Sequence, residues 1–413
     1  MITQDQSGNG RPLHRSIATA IAKEIESQGR RSHTKLPSEL SLATQFGVSR
    51  GTVTKALDSL VVRGLVYRRK PQGTFVAPPP ESAAPQVLQK VASGSGQADV
   101  IGVVVGGLTV ELMDSVHGSI IMGVQTVARS AGFGIMLALS ENDVLMERYY
   151  IEQMCARGVG GVILFPGSHP VERRNGMLVS VGDEVRISAL KTMQEQDKPF
   201  VLVDRWVPAV DCDWVVSDDE ASGRTATEHL IALGHRRIGY MATSPYVTSI
   251  ANRFSGYAAS LQRHGLEVDD RLILHSLREA FSDTYPRESR EDGARLQTYL
   301  RSADRPSAVV TSNDYVALRV AFAAESAGLR VPDDLAIVSC GWGGKMGAYA
   351  RVPLTSVIQP LMEIGRQATH ILLDRIAGRS SMIRQMALPV SLAVRESCGA
   401  GERASALAAR PPA

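Results

Sequence analysis

From residue 99 to about residue 397, short apolar runs alternate with longer amphipathic segments. The runs fall at 100–105, 134–138, 161–165, 200–203, 214–216, 237–241, 272–275, 308–311 and 335–339, and most are rich in β-branched residues. Segments of helical length lie among them, at about 115–131, 144–157, 220–233, 251–264, 289–301, 314–327 and 360–378. This alternation constrains the fold more than any other feature. A strand apolar on both faces must be covered on both faces, and the intervening helices supply the cover. The pattern predicts an α/β fold with parallel sheets. The stretch is longer than one such sheet needs, so two lobes are expected. Small molecules bind such sheets at the carboxyl ends of the strands.

Ahead of that stretch the character changes. Between Arg11 and Val76 there are 12 Lys and Arg against 4 Asp and Glu, although the whole 413-residue chain carries only +3. A basic surplus confined to one small module suits a polyanion. Leu13, Ile17, Ile21 and Ile25 recur every four residues, which predicts a helix ending near Gly29. Pro37-Ser38-Glu39 opens a second helix, with Ser38 as its cap, Leu42 and Phe46 inward and Gly47 at its end. A third runs from Ser49 to about Arg63, with Val53, Leu57 and Leu60 inward. Two short helices joined at a glycine turn form a helix-turn-helix.

The third helix exposes Ser49, Arg50, Thr52, Thr54 and Lys55 near its N-terminus, where free N–H groups and the positive end of the helix dipole favour phosphate. Arg50 can fork onto a guanine edge or a phosphate, and Lys55 suits a phosphate. Residues 65–76 read as strand, turn, strand, with Arg68, Arg69 and Lys70 before Pro71-Gln72-Gly73. They predict a basic wing beside the recognition helix.

Several chemistries find no support. Cys155, Cys212, Cys340 and Cys398 are widely spaced, with no CxxC, so neither a zinc site nor a disulfide framework is expected. There is no P-loop, HExxH or GxSxG, and Gly94-Ser95-Gly96 precedes a strand instead of following one. The nine histidines show no metal-binding spacing. Neither catalysis nor a cofactor is expected. No apolar run approaches membrane-spanning length and the N-terminus is polar, so a cytoplasmic protein is expected.

Polar residues follow the predicted strands: Asp204-Arg205 after 200–203, Asp218-Asp219 after 214–216, and Asn313-Asp314 after 308–311, while Arg253 opens the helix that follows 237–241. Converging, they would line a cleft with donors and acceptors suited to vicinal hydroxyls. Trp206 or Phe165 would stack on an apolar face of the ligand. Asp218, Asp219 and Asp314 read equally well as helix caps.

Two resemblances sharpen this. Leu36-Pro37-Ser38-Glu39, Phe46-Gly47-Val48-Ser49-Arg50, Thr52-Val53, Lys55-Ala56-Leu57 and Gly73-Thr74-Phe75-Val76 resemble the winged helix-turn-helix of the GntR family. That resemblance implies DNA contacts from Ser49, Arg50, Thr52 and Thr54, with Gly73 letting the wing tip approach the minor groove. The family's usual arginine after the Pro-Ser-Glu glutamate is Leu40 here, and a wing glycine is Pro71.

His229-Leu230, Leu233-Gly234-His235-Arg236-Arg237-Ile238-Gly239, Arg253, Gly256-Tyr257, Asn313-Asp314, Pro332-Asp333-Asp334-Leu335 and Gln359-Pro360 resemble the effector domain of the LacI/GalR family. This implies a two-lobed, periplasmic-binding-protein-like fold with a sugar or related metabolite between the lobes, touched by Asp204 or Arg205, by Arg253 and by Asn313. The usual ligand-binding aspartate is Gly341, and Trp342 beside it offers a stacking face. Extra length at about 170–185 reads as a surface insertion. The pairing is similar to that in arabinose-type repressors.

The expected organisation is a winged helix-turn-helix at 11–76, a linker at 77–98, an effector domain at 99–397 and a disordered tail at 398–413. Lobe one would hold about 99–234 and 357–385, and lobe two about 236–353 and 387–397. The expected protein is a homodimeric repressor that binds a double-stranded DNA operator and is released by its effector, with ligand and DNA affinity coupled reciprocally. Two other readings are compatible with the chain: a DNA-binding dimeric scaffold that senses nothing, and an enzyme joined to a regulatory DNA-binding domain.

Overall fold

The computed structural model describes residues 13–27, 34–62, 66–69, 73–76, 98–106, 116–167, 171–174, 177–180, 183–243, 247–275, 277, 286–341 and 345–401. The chain divides into two units, Met1–Gly94 and Ser95–Ala413.

The first unit holds α1 (Leu13–Ser27), α2 (Glu39–Phe46), α3 (Arg50–Val62), β1 (Val66–Arg69) and β2 (Gly73–Val76). Ile17, Ala18, Ile21 and Ala22 of α1 meet Leu42 and Ala43 of α2 and Val53, Ala56, Leu57 and Leu60 of α3 in one core. The turn between α2 and α3 forms because Gly47 takes the left-handed conformation (φ 64°), where its N–H reaches back to close the helix. Ser38 caps α2 through Ser41 N–H at 3.1 Å, as expected. Strands β1 and β2 pair antiparallel, Val66 opposite Val76 and Arg69 opposite Gly73. Leu36 N–H donates to Thr74 O, and Val76 N–H to Thr34 O, each at 2.8 Å, so the segment before α2 extends this small sheet.

The second unit contains two six-stranded sheets. In the first, β15 (Gln385–Leu388), β9 (Asp213–Ser217), β8 (Phe200–Val203), β5 (Val159–Phe165), β3 (Ala98–Val105) and β4 (Gly134–Leu139) lie side by side, all parallel. In the second the order is β11 (Ile273–Leu274), β10 (Ile238–Met241), β12 (Ala308–Thr311), β13 (Ala336–Ser339), β14 (Thr355–Ile358) and β16 (Ser391–Ala393), with only β16 antiparallel.

Alternate residues of each strand enter opposite cores. Ile101, Val103 and Val105 face α4 (Val116–Ser130) and α12 (Leu361–Ile376), whereas Val104 faces α5 (Val144–Ala156) and α6 (Asp183–Glu195). In the second lobe Val310 and Val338 face α7 (Asp219–Ala232) and α8 (Thr248–Arg263). Val309 and Ile337 face the other core, with α9 (Pro286–Arg301) and α10 (Asp314–Ser326). Burial on both faces explains the near-continuous apolar runs.

The chain passes between the lobes after β9, after β14 and after β15, which differs from the expected division. Helix α7 was expected in lobe one but packs against α8 and the second sheet. Strand β14 lies wholly in the second sheet and β15 wholly in the first, so both later passages fall one to three residues beyond the expected points. Two further strands, β6 (Val171–Arg174) and β7 (Met177–Ser180), pair antiparallel in a separate two-stranded sheet within the expected insertion. The expected strand at 272–275 is a 3-10 turn at Asp270–Leu272 followed by the two-residue β11. Cys398, expected in a disordered tail, is fully buried in the second lobe, where Thr355 Oγ1 lies 3.1 Å from its sulfur.

Each lobe contains one helix pair in backbone contact. A Cβ at Gly123 of α4 would meet Met362 O of α12, and one at Gly365 would meet Ile120 O. A Cβ at Gly223 of α7 would meet Arg253 O of α8, and one at Gly256 would meet Glu220 O. Only hydrogen on Cα allows these approaches. Gly123→Ala and Gly256→Ala should each destabilise the protein by about 1–3 kcal/mol through overpacking. Gly293→Ala, with nothing within 4 Å of the new Cβ, should be neutral or stabilise by up to about 1 kcal/mol. Urea unfolding of the three variants checks this ordering.

Candidate DNA-binding and effector sites

Helix α3 begins at an exposed end. Ser49 Oγ accepts from Thr52 N–H at 3.2 Å and lies 2.8 Å from Thr52 Oγ1, so the serine caps the helix. Arg50 is 73% exposed, and its Nε donates to Glu39 Oε2 at 3.0 Å. Thr52 and Thr54 are half-exposed, Thr54 Oγ1 donating to Arg50 O at 3.0 Å, and Lys55 is exposed. Arg68 and Arg69 lie on β1 opposite Thr74 and Gly73, and their side chains fall outside the described residues. Gly73 has φ 119°, a backbone that side-chain-bearing residues rarely adopt. Leu40, where the resembled family carries arginine, is 70% exposed.

In the second unit the polar residues at the strand ends form two linked ion pairs. At the end of β8, Asp204 takes a left-handed conformation (φ 69°), which aspartate tolerates better than most residues. Its carboxylate accepts from Arg205 Nε at 3.0 Å, and Arg205 Nη2 lies 2.9 Å away. Burial raises the Asp204 pKa, but Arg205, His117 and Arg253 together hold it below the usual carboxylate range. Arg253 belongs to the other lobe, so charges on the two strand-end rows act on each other.

Arg253 itself is buried. Its Nε and Nη2 both reach Asp219 Oδ1, at 2.8 and 2.7 Å, and its Nη1 donates to Ser312 O at 2.6 Å. Ser217 Oγ lies 3.2 Å from the same Asp219 oxygen and 3.0 Å from Gln359 Oε1. Gln359 Nε2 in turn donates to Gly341 O at 3.0 Å. Burial pushes the Asp219 carboxyl up to about 6 against the opposing pull of Arg253. Asp219 Oδ2 is buried with no hydrogen-bond partner among the described residues.

Other expected site residues sit differently. Phe165 is 1% exposed, part of the first lobe's core, with its ring 5.4 Å from His117 and edge-on. It therefore presents no stacking face, and His117 covers it. Trp206 stacks on Trp214 at 5.2 Å and 19°, which takes one face of the ring. Its backbone N–H donates to Thr248 Oγ1 across the lobes at 3.3 Å. Asn313 caps α10 through Val316 N–H at 2.9 Å. Asp218 caps α7 through Ala221 N–H at 2.8 Å. Asp314 reaches another element: Ser356 Oγ donates to its Oδ1 at 2.9 Å. A Cβ at Gly341 would run into the Asp314 carboxylate, which occupies the space a side chain at 341 would need. Trp342 lies outside the described residues.

The sequence reading gave Asp219 only a place in a polar pair or a cap, gave Gln359 only a place in a family motif and His117 only a place among histidines without metal-binding spacing, and passed over Ser217 and Thr248. Asp219 follows an aspartate that does cap the helix, so two adjacent identical residues carry different roles. Ser217 and Thr248 have no motif of their own, and only the packing of the strand ends brings them to the site.

A winged helix-turn-helix in one unit and a two-lobed α/β domain with polar groups gathered at its strand ends in the other define a ligand-responsive transcriptional regulator. Residues 13–76 match the bacterial regulatory proteins of the gntR family, and residues 227–398 match the periplasmic binding protein-like domain. The arabinose metabolism transcriptional repressor of Geobacillus stearothermophilus is 30% identical over 371 residues, 89% of this chain and 92% of that protein. The transcriptional regulator CelR–cellobiose complex is similar with a TM-score of 0.59 and 26% identity, over 88% of this chain and 100% of that one. A putative ribose operon repressor from Burkholderia thailandensis gives a TM-score of 0.57 and 26% identity, over 71% of this chain and 98% of that one. The chain belongs to the family of transcriptional regulators that join a GntR-type DNA-binding domain to a LacI/GalR-type periplasmic-binding-protein-like domain. Among the described residues no helix is long and apolar enough to cross a membrane.

Removing one partner of the Arg253–Asp219 pair leaves a buried charge without compensation. Arg253→Ala should cost about 3–5 kcal/mol. Arg253→Met combined with Asp219→Leu, which removes both charges, should cost less than Arg253→Ala alone. Thermal and urea unfolding of the isolated and combined variants measures the difference.

Proposed function

We propose that this regulator is a cytoplasmic homodimeric repressor, released from a roughly palindromic operator when a sugar binds between the lobes of its second unit. The observation that carries the reading is the convergence of Asp204 and Arg205 from one lobe with Arg253 and Asp219 from the other. A ligand bridging these groups would bind one lobe arrangement better than another, which is what coupling to DNA requires. Arg205, Trp206, Arg253 and Asn313, with Asp204, are the proposed effector contacts, and Trp342 is the proposed stacking face.

Ser49, Arg50, Thr52, Thr54, Lys55, Arg68, Arg69 and Gly73 are the proposed DNA contacts. Arg50 is exposed and its Nε donates to Glu39, and its two Nη groups are the proposed donors of a bidentate base contact. Arg50→Ala should weaken operator binding by about 1–3 kcal/mol. An electrophoretic shift at the wild-type protein concentration would remove Arg50 from the contact set.

A dimer is supported by two exposed aromatic residues of the second lobe: Phe322 on α10, 71% exposed, and Tyr349, 84% exposed. Such side chains favour a partner surface. Phe322→Glu with Tyr349→Glu should convert a dimer to a monomer in light scattering and weaken operator binding at least tenfold. Operator titrations with and without sugars test the whole reading. Affinity unchanged by every sugar that binds the protein would refute effector control.

A further inference from the structure

We infer that the cleft takes an uncharged polyhydroxy compound in preference to its phosphate ester, and that Asp219 accepts a hydrogen bond from one of its hydroxyls through Oδ2. This narrows the sugar reading above and rests on it.

The first argument is charge. Both cleft arginines are already paired: Arg205 with Asp204, and Arg253 with Asp219. Arg253 also spends Nη1 on Ser312 O, so all three of its nitrogens are engaged inside the protein. Asp314 adds a third carboxylate beside Gly341. Among the described residues, three aspartates therefore stand against two arginines. A phosphate placed there would meet net negative charge and would have to break a buried ion pair to gain a cation.

The second argument is the buried acceptor. Asp219 Oδ1 collects Arg253 Nε, Arg253 Nη2 and the Ser217 hydroxyl, whereas Oδ2 has no partner. A buried carboxylate oxygen without a donor is costly. Asp219 Oδ1 meets the hydroxyl of Ser217 at the end of β9, and its partner Arg253 donates to Ser312 O just after β12. Asp219 thus sits between the strand-end rows of the two lobes. A hydroxyl there would supply the missing donor and form a charge-assisted hydrogen bond, about twice as strong as a neutral one. A phosphate supplies mainly acceptors and would face Oδ2 with like charge.

The experiment uses the full-length protein and seven probes: D-arabinose, D-ribose and D-glucose, each matched with its ester D-arabinose 5-phosphate, D-ribose 5-phosphate or D-glucose 6-phosphate, and cellobiose as a further neutral probe. Thermal shift and titration calorimetry are read on the wild type and on Asp219→Asn. The expected result is saturable binding of at least one neutral probe, no binding of the phosphate esters, and at least tenfold weaker binding by Asp219→Asn. Should that variant not fold, Asp219→Ser, which keeps a hydroxyl toward Arg253 and Ser217, replaces it. Binding of a phosphate ester as tightly as its neutral counterpart overturns the charge argument and leaves the sugar reading intact. A neutral probe bound equally by wild type and variant overturns the role of Asp219 alone. Binding of none of the seven overturns both this inference and the sugar reading.

Discussion

The buried pair of Arg253 and Asp219 is the interaction on which the second unit depends. Asp219 opens α7 directly after the first passage between lobes, and Ser217 closes the strand before that passage. Gln359 follows the second passage and shares the Ser217 hydroxyl. One hydrogen-bonded network therefore joins two of the three places where the chain changes lobes, and it reaches Gly341 and Ser312 at the ends of β13 and β12. Buried charges of this kind contribute little net stability. Their effect is geometric. Moving one lobe relative to the other shifts Ser217 against Asp219 and Gln359, so the network and the lobe arrangement are coupled. That is the property a ligand-controlled switch requires.

The outer structure of each lobe was legible in the sequence because burial on both sheet faces leaves a signal in composition. The strands at 200–203 and 308–311 were read to the residue, and the helices along α4, α5, α8 and α10 to within a few residues. The glycine turn and the Ser38 cap were equally legible, since each rests on a local conformational rule. What was hidden lies where local rules compete. Strands β14, β15 and β16 are three or four residues long and follow no helical spacing, so the exact passage points could not be seen. The packing of α7 on α8 depends on Gly223 lying against Arg253 O and Gly256 against Glu220 O, contacts between residues far apart in sequence.

The site shows the same division. Residue types at strand ends correctly marked where polar chemistry collects, yet not which partner each side chain takes. Asn313 and Asp314 illustrate this: the amide caps the helix, while the carboxylate turns back to Ser356. Phe165 illustrates the converse. An aromatic residue at a strand end has the right type and place for stacking, but the period-two alternation of β5 sends it into the core with Ile163. Counting outward along the strand would have found this.

The contact between Gly341 and Asp314 has a consequence for redesign. With no side chain at 341, the Asp314 carboxylate fills the space and accepts a hydrogen bond from the Ser356 hydroxyl. Gly341→Asp would meet an occupied position and a second negative charge in a buried place. A carboxylate can enter at 341 only if 314 changes with it, so the two positions are coupled by packing.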